Sequence, residues 1–278
     1  MLFDKAVVFT DIHLGNKNNS RLHNQDCEDF IIWMIDEAKK RGITKCIFMG
    51  DWHHHRATIN VSTLNYTVSN LRRLNDSFEQ VIMIMGNHDL YYREKREIHS
   101  IPMADEYPNI RIVNEEIFSG HFHKRQERGN VIYPGNCFPH NFSDAWDDDR
   151  GCMFLDWDGT IEYSAWPDAP KYRTIPLSKL IDDPGKYLAD KTYCRITLDV
   201  SITYEEANFI KETFAKQYDL REISLMPSKK EEHTNDWQQG VEIEVENVDT
   251  IVLSQLEAVQ SDTIKKQMLI EIYQGLTT

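Results

Sequence analysis

Residues 80–89 read QVIMIMGNHD, an uninterrupted apolar run that ends abruptly in a polar tetrad. Two earlier stretches have the same construction, KAVVFTDIH at residues 5–13 and TKCIFMGD at residues 44–51. Strands that are apolar throughout are typical of parallel sheets covered on both faces. Apolar residues at helical spacing fill the two intervals, over residues 24–41 and 60–75. The first 90 residues therefore predict a β-α-β-α-β unit of an α/β fold.

The polar endings of these runs predict one shared site, because ligands of α/β folds bind at the carboxyl ends of the strands. A fourth polar element, Gly120-His121-Phe122-His123, lies further along the chain. Mixed carboxylate, amide and imidazole ligands favour manganese, iron or zinc over calcium or magnesium. Two such ions suit the cleavage of a phosphate ester. The candidate residues are Asp11, His13, Asp51, Asn87, His88, His121 and His123.

Each motif taken alone has an ordinary structural interpretation. Asp11 suits a turn after a strand, Asn87 suits a left-handed turn, and His121 and His123 suit solvent-facing positions of a strand. If each of the four motifs had only such a structural role, their occurrence in this order would require four independent coincidences. We therefore reject this interpretation for the four motifs together. For the triple histidine at residues 53–55, the ordinary interpretation is the favoured one.

The ordered motifs Asp-x-His, Gly-Asp, Gly-Asn-His-Asp and Gly-His-x-His resemble those of the calcineurin-like metallophosphoesterases. The resemblance implies a four-layer αββα sandwich that binds two divalent metal ions, in the first place Mn²⁺, with Fe²⁺ or Zn²⁺ as alternatives. It implies that His88 protonates or stabilises the leaving oxygen, while metal-activated water attacks. The ligands it implies are Asp11, His13 and His123 for the first metal, Asn87 and His121 for the second, and Asp51 for both.

Within that family, the details resemble the SbcD-like nucleases and the phage recombination endonuclease subunit. The resemblance rests on DIHLG at residues 11–15, GNHDLYY at 86–92, FSGHFH at 118–123, YPG at 133–135 and DRG at 149–151. It implies a DNA nuclease that works with an SbcC-like ATPase, and a homodimer formed through the helix at residues 60–75. Arg93, Lys95 and Arg96 are candidates for contacts with the phosphate backbone, and a solvated helix face explains them equally well.

The domain organisation follows from composition and pattern. We predict a metallophosphoesterase domain at residues 1–165, a Pro- and Asp-rich linker at 166–192 and a small α+β capping domain at 193–246. A helical segment at residues 247–278 completes the chain. Its apolar stripe suits docking on the ATPase partner, as the resemblance implies, or packing on its own domain, and the sequence leaves both open.

One motif of the family is missing. A Gly-His pair normally stands between Asn-His and Gly-His-x-His and completes the second metal site. Residues 90–120 contain no such pair, and their one histidine, His99, lies in a charged segment. Either the chain has a deletion near residues 114–118, which shortens the sandwich and leaves the second metal three protein ligands, or the sequence joins there across other residues. A continuous chain predicts consecutive Cα atoms about 3.8 Å apart.

Composition restricts the remaining choices. The net charge of −14 argues against tight, unaided binding of nucleic acid. Five scattered cysteines favour a reducing, cytoplasmic compartment, and the resemblance implies that of a bacterium or a phage-infected host. We expect no signal peptide and no membrane span. Three functions stay open: a DNA nuclease, a phosphatase or phosphodiesterase acting on a small molecule or phosphoprotein, and a degenerate scaffold that only binds the ATPase.

Overall fold

The computed structural model of the chain describes residues 3–92, 95–113, 122–128 and 131–227, and at residues 95–97, 128 and 204 it describes only the backbone. These described residues all belong to one compact unit. The predicted helical segment at 247–278, the last part of the predicted capping domain and the join near 114–118 lie outside the described residues.

The larger sheet has six strands in the order β10-β9-β1-β2-β3-β6. Strands β1, β2, β3 and β6 run parallel, while β9 is antiparallel to β1 and β10 is antiparallel to β9. The predicted α/β class is therefore confirmed, with a mixed central sheet. The strands are β1 Lys5–Phe9, β2 Lys45–Phe48, β3 Gln80–Ile84, β6 Ile110–Val113, β9 Gly151–Asp156 and β10 Ile161–Ala165.

Two long helices connect the first three strands. Helix α2 spans Arg21–Lys40 and helix α3 spans Val61–Ser77, each close to its predicted range. Ser20 and Asn60 cap their first turns by accepting backbone N–H groups, as short polar side chains do at helix starts. Their buried faces pack in one apolar core with Phe9, Phe48 and other sheet residues. The short segment α1, Asn16–Asn19, precedes α2 and contains left-handed residues.

A second, three-stranded sheet follows, and it corrects the predicted linker at 166–192. That range supplies strand β11, Lys171–Pro176, and the short helices α4, Leu177–Asp182, and α5, Pro184–Tyr187. Strand β11 pairs parallel with β12, Thr192–Leu198, which pairs with β13, Glu222–Pro227. The Pro and Asp residues of this range suggested a linker, but several of its apolar residues are buried in a small core. Helix α6, Tyr204–Tyr218, packs against that core.

The remaining described elements are short. Strands β4, Leu90–Tyr92, and β5, Lys95–His99, form one hairpin, and β7, Gln126–Arg128, pairs with β8, Val131–Tyr133. Ile132 of β8 packs on the face of the larger sheet opposite the two long helices. Single 3₁₀ turns occupy Pro102–Glu106 and Phe142–Asp144. In the part of the chain that the structure describes, no helix has the length and apolarity needed to span a membrane.

Candidate metal-dependent active site

The first two motifs meet at the carboxyl ends of β1 and β2. The backbone N–H of Asp11 donates to the carbonyl of Gly50 at 2.9 Å, and that of His13 donates to the carbonyl of Asp51 at 3.0 Å. Asp11, His13 and Asp51 all adopt left-handed backbone conformations, with φ of 51°, 51° and 61°. Such conformations are costly for residues with a side chain and persist where the surrounding structure imposes them, often at functional sites.

The side chains of these residues converge. His13 Nε2 lies 3.7 Å from Asp11 Oδ1 and 3.8 Å from Asp51 Oδ2, and His123 Nε2 lies 4.0 Å from Asp11 Oδ1. Ligands on opposite sides of one ion stand about 4.2 Å apart when each bond is about 2.1 Å. Neither ring nitrogen of the buried His13 has a hydrogen-bond partner within the described residues. The residues present therefore fit a divalent metal ion.

Electrostatics support the same conclusion. Burial alone would raise the pKa of Asp11, but His13 and the Thr10 hydroxyl outweigh it and hold that pKa below its ordinary value. Burial raises the pKa of the Asp51 carboxyl. Burial would lower the pKa of His13, yet Asp11 and Asp51 raise it. In the absence of metal, the carboxylates thus attract a proton to His13, and a cation can take the place of that proton.

The third motif lies against Asp51. The backbone N–H of His88 donates to Asp51 Oδ1 at 2.9 Å, and the His88 ring stands edge-on to the His13 ring at 4.9 Å between centroids. His88 Nδ1 is 2.8 Å from the carbonyl oxygen of His54, which fixes the ring orientation. Asn87 is exposed in the turn after β3. A Cβ atom on Gly86 would lie 2.2 Å from Asp51 Oδ1, so this approach requires glycine.

Asp89, the last residue of the third motif, is completely buried and organises the backbone beneath the site. Its Oδ2 accepts the N–H groups of Asp51 at 2.8 Å and Gly86 at 3.1 Å. Its Oδ1 accepts the N–H of His53 at 3.0 Å and the Ser100 hydroxyl at 3.3 Å. Burial raises the pKa of Asp89 to about 6. Asp89 belongs to the motif Gly-Asn-His-Asp, but the motif alone does not indicate this supporting role.

The three consecutive histidines at residues 53–55 have different environments and roles. His53 is buried, and its two ring nitrogens contact Ser100 Oγ at 2.8 Å and Thr67 Oγ1 at 2.7 Å, which is a structural role. His55 is exposed. His54 belongs to the site, because one of its ring nitrogens lies within 4.8 Å of ring nitrogens of His13 and His88. Burial lowers the pKa of His54 to about 4.

The fourth motif is only partly described. His121 lies outside the described residues. The carbonyl of His123 accepts the N–H of Asn136 at 3.1 Å and a hydrogen bond from the Arg150 guanidinium, which connects this segment to the rest of the fold. Burial lowers the pKa of His123. Beside it lies His140, a buried histidine that sequence reasoning missed because no motif contains it.

A cavity of about 440 Å³ opens over the site, and its lining includes the histidines His13, His54, His88, His123 and His140. The same lining includes the cations Lys17 and Arg195, the aromatic residues Phe142, Tyr172 and Tyr193, and the carboxylate of Glu222. Lys17 Nζ donates to the Tyr172 hydroxyl and lies 3.6 Å from the centre of the Tyr193 ring, and Arg195 lies 3.7 Å from the centre of the Phe142 ring. Burial lowers the pKa of Lys17 to about 8. The cavity thus combines anion-binding cations with flat aromatic surfaces.

The predicted backbone-contacting cations remain a prediction. Arg93 lies outside the described residues, and Lys95 and Arg96 belong to β5 without described side chains. Lys95 and Arg96 lie in a strand, so the alternative of a helix face is wrong for these two residues. No sequence motif marks Lys17, Arg195 or the aromatic residues of the cavity. These residues come together only through packing of the two sheets.

Comparisons with known proteins identify the family of the chain. The model of the calcineurin-like phosphoesterase family matches residues 5–175. Exonuclease subunit 1 of Enterobacteria phage T4 is 30% identical over 112 residues, which are 40% of this chain and 33% of that protein. The chain therefore matches only about a third of this relative's length. The crystal structure of the Pseudomonas putida nuclease MPE is 22% identical, with a TM-score of 0.31 over 45% of this chain and 56% of that one. The family match covers well over half of the chain and all the motifs, so this protein belongs to the calcineurin-like phosphoesterase family.

Proposed function

We propose that this chain is a metal-dependent DNA nuclease that hydrolyses phosphodiester bonds with two divalent metal ions, of which Mn²⁺ is the first choice. The observation that carries the proposal is the convergence of Asp11, His13, Asp51 and His123 beside a cavity whose lining includes cationic and aromatic groups. Cations suit the phosphates of a nucleic-acid strand, and aromatic rings suit its bases. The similarity to a phage exonuclease subunit supports this substrate over a small phosphomonoester.

The site residues would have separate roles in metal binding and proton transfer. Asp11, His13 and His123 would hold the first ion, Asn87 and His121 the second, and Asp51 both. Bound there, the ions would neutralise the phosphate and make water acidic enough to attack at neutral pH. His88 stands on the cavity side of His13 with Nδ1 held by the His54 carbonyl, so its Nε2 is the atom that would donate a proton to the leaving oxygen.

Lys17 and Arg195 would bind a phosphate beyond the scissile one, and Tyr193 and Phe142 would stack against a base. Lys17 is held by Tyr172 and Tyr193, so little conformational freedom is lost when it binds an anion. Arg93, Lys95 and Arg96 would extend this contact along the backbone. The strongly acidic remainder of the protein would keep affinity low unless a partner holds the DNA.

We infer that this partner is an SbcC-like ATPase, and that the chain is the nuclease subunit of a recombination and repair complex. The name of the phage relative, which calls that protein a subunit, supports this inference. The apolar stripe of residues 247–278 would be the docking element, and α3 would contribute to a homodimer. The five cysteines are all buried and unpaired, which suits the cytoplasm of a bacterium or a phage-infected host.

A nuclease assay tests the proposal. The full chain would be incubated with single- and double-stranded DNA, with Mn²⁺ or with chelator, alone and with a purified SbcC-like ATPase. We expect Mn²⁺-dependent cleavage that His88→Ala reduces by about 10²–10⁴-fold, the usual contribution of a general acid. Replacing His55, which is exposed outside the cavity, is the matched control and should change little. Absence of cleavage under every condition would refute the nuclease function.

One specific observation favours the scaffold as a second candidate. The family's additional Gly-His is absent from the sequence, so the second ion has fewer ligands available. A catalytically inert scaffold would bind one Mn²⁺ per chain and associate with the ATPase without cleaving DNA. Counting bound Mn²⁺ by equilibrium dialysis separates the two candidates, because the nuclease requires two ions.

A further inference from the structure

His140 is buried, with 1% of its surface exposed, yet its ring borders the active-site cavity. The ring stands edge-on to those of His13 and His123, at 5.5 Å and 5.6 Å between centroids. It therefore lies against the two histidines that would hold the first metal ion. None of the four motifs named above includes His140.

The backbone of His140 is fixed on both sides. Its N–H donates to Asp144 Oδ2 at 2.9 Å, and its carbonyl accepts the Tyr172 hydroxyl at 2.8 Å. The ring is different, because neither nitrogen has a hydrogen-bond partner within the described residues. Buried polar atoms are nearly always paired, so two unpaired nitrogens in one buried ring require an explanation.

Other buried histidines of this chain show what a structural imidazole looks like. Both ring nitrogens of His53 contact side-chain hydroxyls, and Nε2 of His23 contacts the carbonyl of His13 at 3.0 Å. His13, which would bind metal, shares the unpaired condition of His140. The pattern of pairing thus groups His140 with the metal-binding histidine and separates it from the structural ones.

Distances agree with this grouping. One ring nitrogen from each of His13, His123 and His140 lies within 4.8 Å of the others. Ligands of one ion are at most about 4.2 Å apart at bond lengths of about 2.1 Å, so a shift of a few tenths of an ångström brings all three nitrogens to one ion. His13 and His123 are also the residues that approach Asp11.

We propose that His140 is an additional protein ligand of the first metal ion, beside Asp11, His13, Asp51 and His123. The inference rests on the metal site of the proposed function and does not depend on the substrate. Three imidazoles make this site richer in nitrogen than the second, for which His121 is the one histidine assigned. The two sites therefore differ in affinity, with the first ion bound far more tightly than the second.

Metal titration of the metal-free full chain tests this proposal without any substrate. Mn²⁺ alone and Co²⁺ alone would be titrated into the wild type, His140→Ala and His140→Gln, with His99→Ala as the control. His99 has an unpaired ring nitrogen too, but it belongs to none of the metal-capable groups of the described residues. We expect the tight step to weaken by about 10–100-fold or more in both His140 variants. The visible spectrum of bound Co²⁺ should change with the coordination number, and His99→Ala should match the wild type.

Two further measurements keep the test decisive. Metal-free unfolding shows whether a variant is folded, and a metal ligand predicts that Mn²⁺ raises the unfolding temperature less in the variant than in the wild type. If both variants fail to fold, NMR of ¹⁵N-histidine-labelled wild type with one equivalent of Zn²⁺ replaces them. Three imidazoles with a zinc-bound ring nitrogen support the proposal, and two refute it. Unchanged Mn²⁺ affinity in folded variants also refutes it, while leaving the nuclease function intact.

Discussion

The carboxylate of Asp89 accepts the backbone N–H of Asp51 across 2.8 Å, so the third motif holds Asp51, the proposed bridging ligand of the second motif, in place. The same carboxylate binds the N–H groups of Gly86 and His53. A buried anion surrounded by donors is a rigid support, because each donor would otherwise be left unpaired. The position of Asp51 is therefore set as much by Asp89 as by strand β2.

Replacing Asp89 by Asn should destabilise the protein and weaken metal binding together. The amide places a donor against a backbone donor, and at least one buried N–H loses its acceptor. We expect the free energy of unfolding to fall by about 1–3 kcal/mol, measured by urea denaturation at pH 7 without metal. Asp36→Asn, on an exposed face of α2, is the control. An unchanged urea midpoint for Asp89→Asn would contradict the supporting role.

The raised pKa of Asp89 predicts a dependence of stability on pH. Its folded-state pKa is about 6 against an ordinary value of 3.8, so the folded state retains a proton that the unfolded state releases. This contribution is present at low pH and is lost as the pH rises through about 6. Urea midpoints of metal-free wild type and Asp89→Asn should therefore differ in slope between pH 4 and 6, the wild type alone losing this increment. Parallel profiles would show that Asp89 does not titrate there.

Lys17 should make nucleic-acid binding sensitive to mild alkali. Burial lowers its pKa to about 8, so the positive charge on the cavity wall is lost above that pH. We expect the affinity of His88→Ala for single-stranded DNA, followed by fluorescence anisotropy, to decline between pH 7 and 9. Lys17→Arg on this background should abolish the decline, because a guanidinium stays charged.

Removing the charge altogether gives a matched test of the same contact. Lys17→Met should reduce the salt dependence of binding by about 0.7 in the log–log slope, the value for one phosphate of a single strand. Lys186→Met, on an exposed position of α5, serves as the comparison. Equal salt-dependence slopes for the two variants would show that DNA does not contact Lys17.

Gly86 should tolerate no side chain. A Cβ atom there would lie 2.2 Å from Asp51 Oδ1 and 2.5 Å from the Asp51 backbone nitrogen, and the backbone cannot move aside. Gly86→Ala is therefore expected to lower both the urea midpoint and the affinity for Mn²⁺. Gly185→Ala, whose added Cβ would come no closer than 3.9 Å to another residue, should retain both properties. Wild-type Mn²⁺ binding by Gly86→Ala would contradict the close approach.

The sequence was informative where local pattern determines structure. Apolar strands ending in polar residues predicted that Asp11, His13 and Asp51 converge, since neighbouring parallel strands place their carboxyl ends together. His140 and Lys17 carry no such signal, because tertiary packing alone brings them to the site. The assignment of residues 166–192 as a linker failed because Pro and Asp marked its loops while the buried Tyr172, Ile175 and Leu180 formed a strand and a helix between them.

The left-handed backbone at Asp11, His13 and Asp51 has an evolutionary consequence. Each such conformation costs about 1–3 kcal/mol for a residue with a side chain, and glycine would relieve it. Glycine would also delete a side chain that we propose binds metal. Selection for stability and selection for activity therefore oppose each other at these positions. A lineage that lost the catalytic function would be expected to accumulate glycine here first.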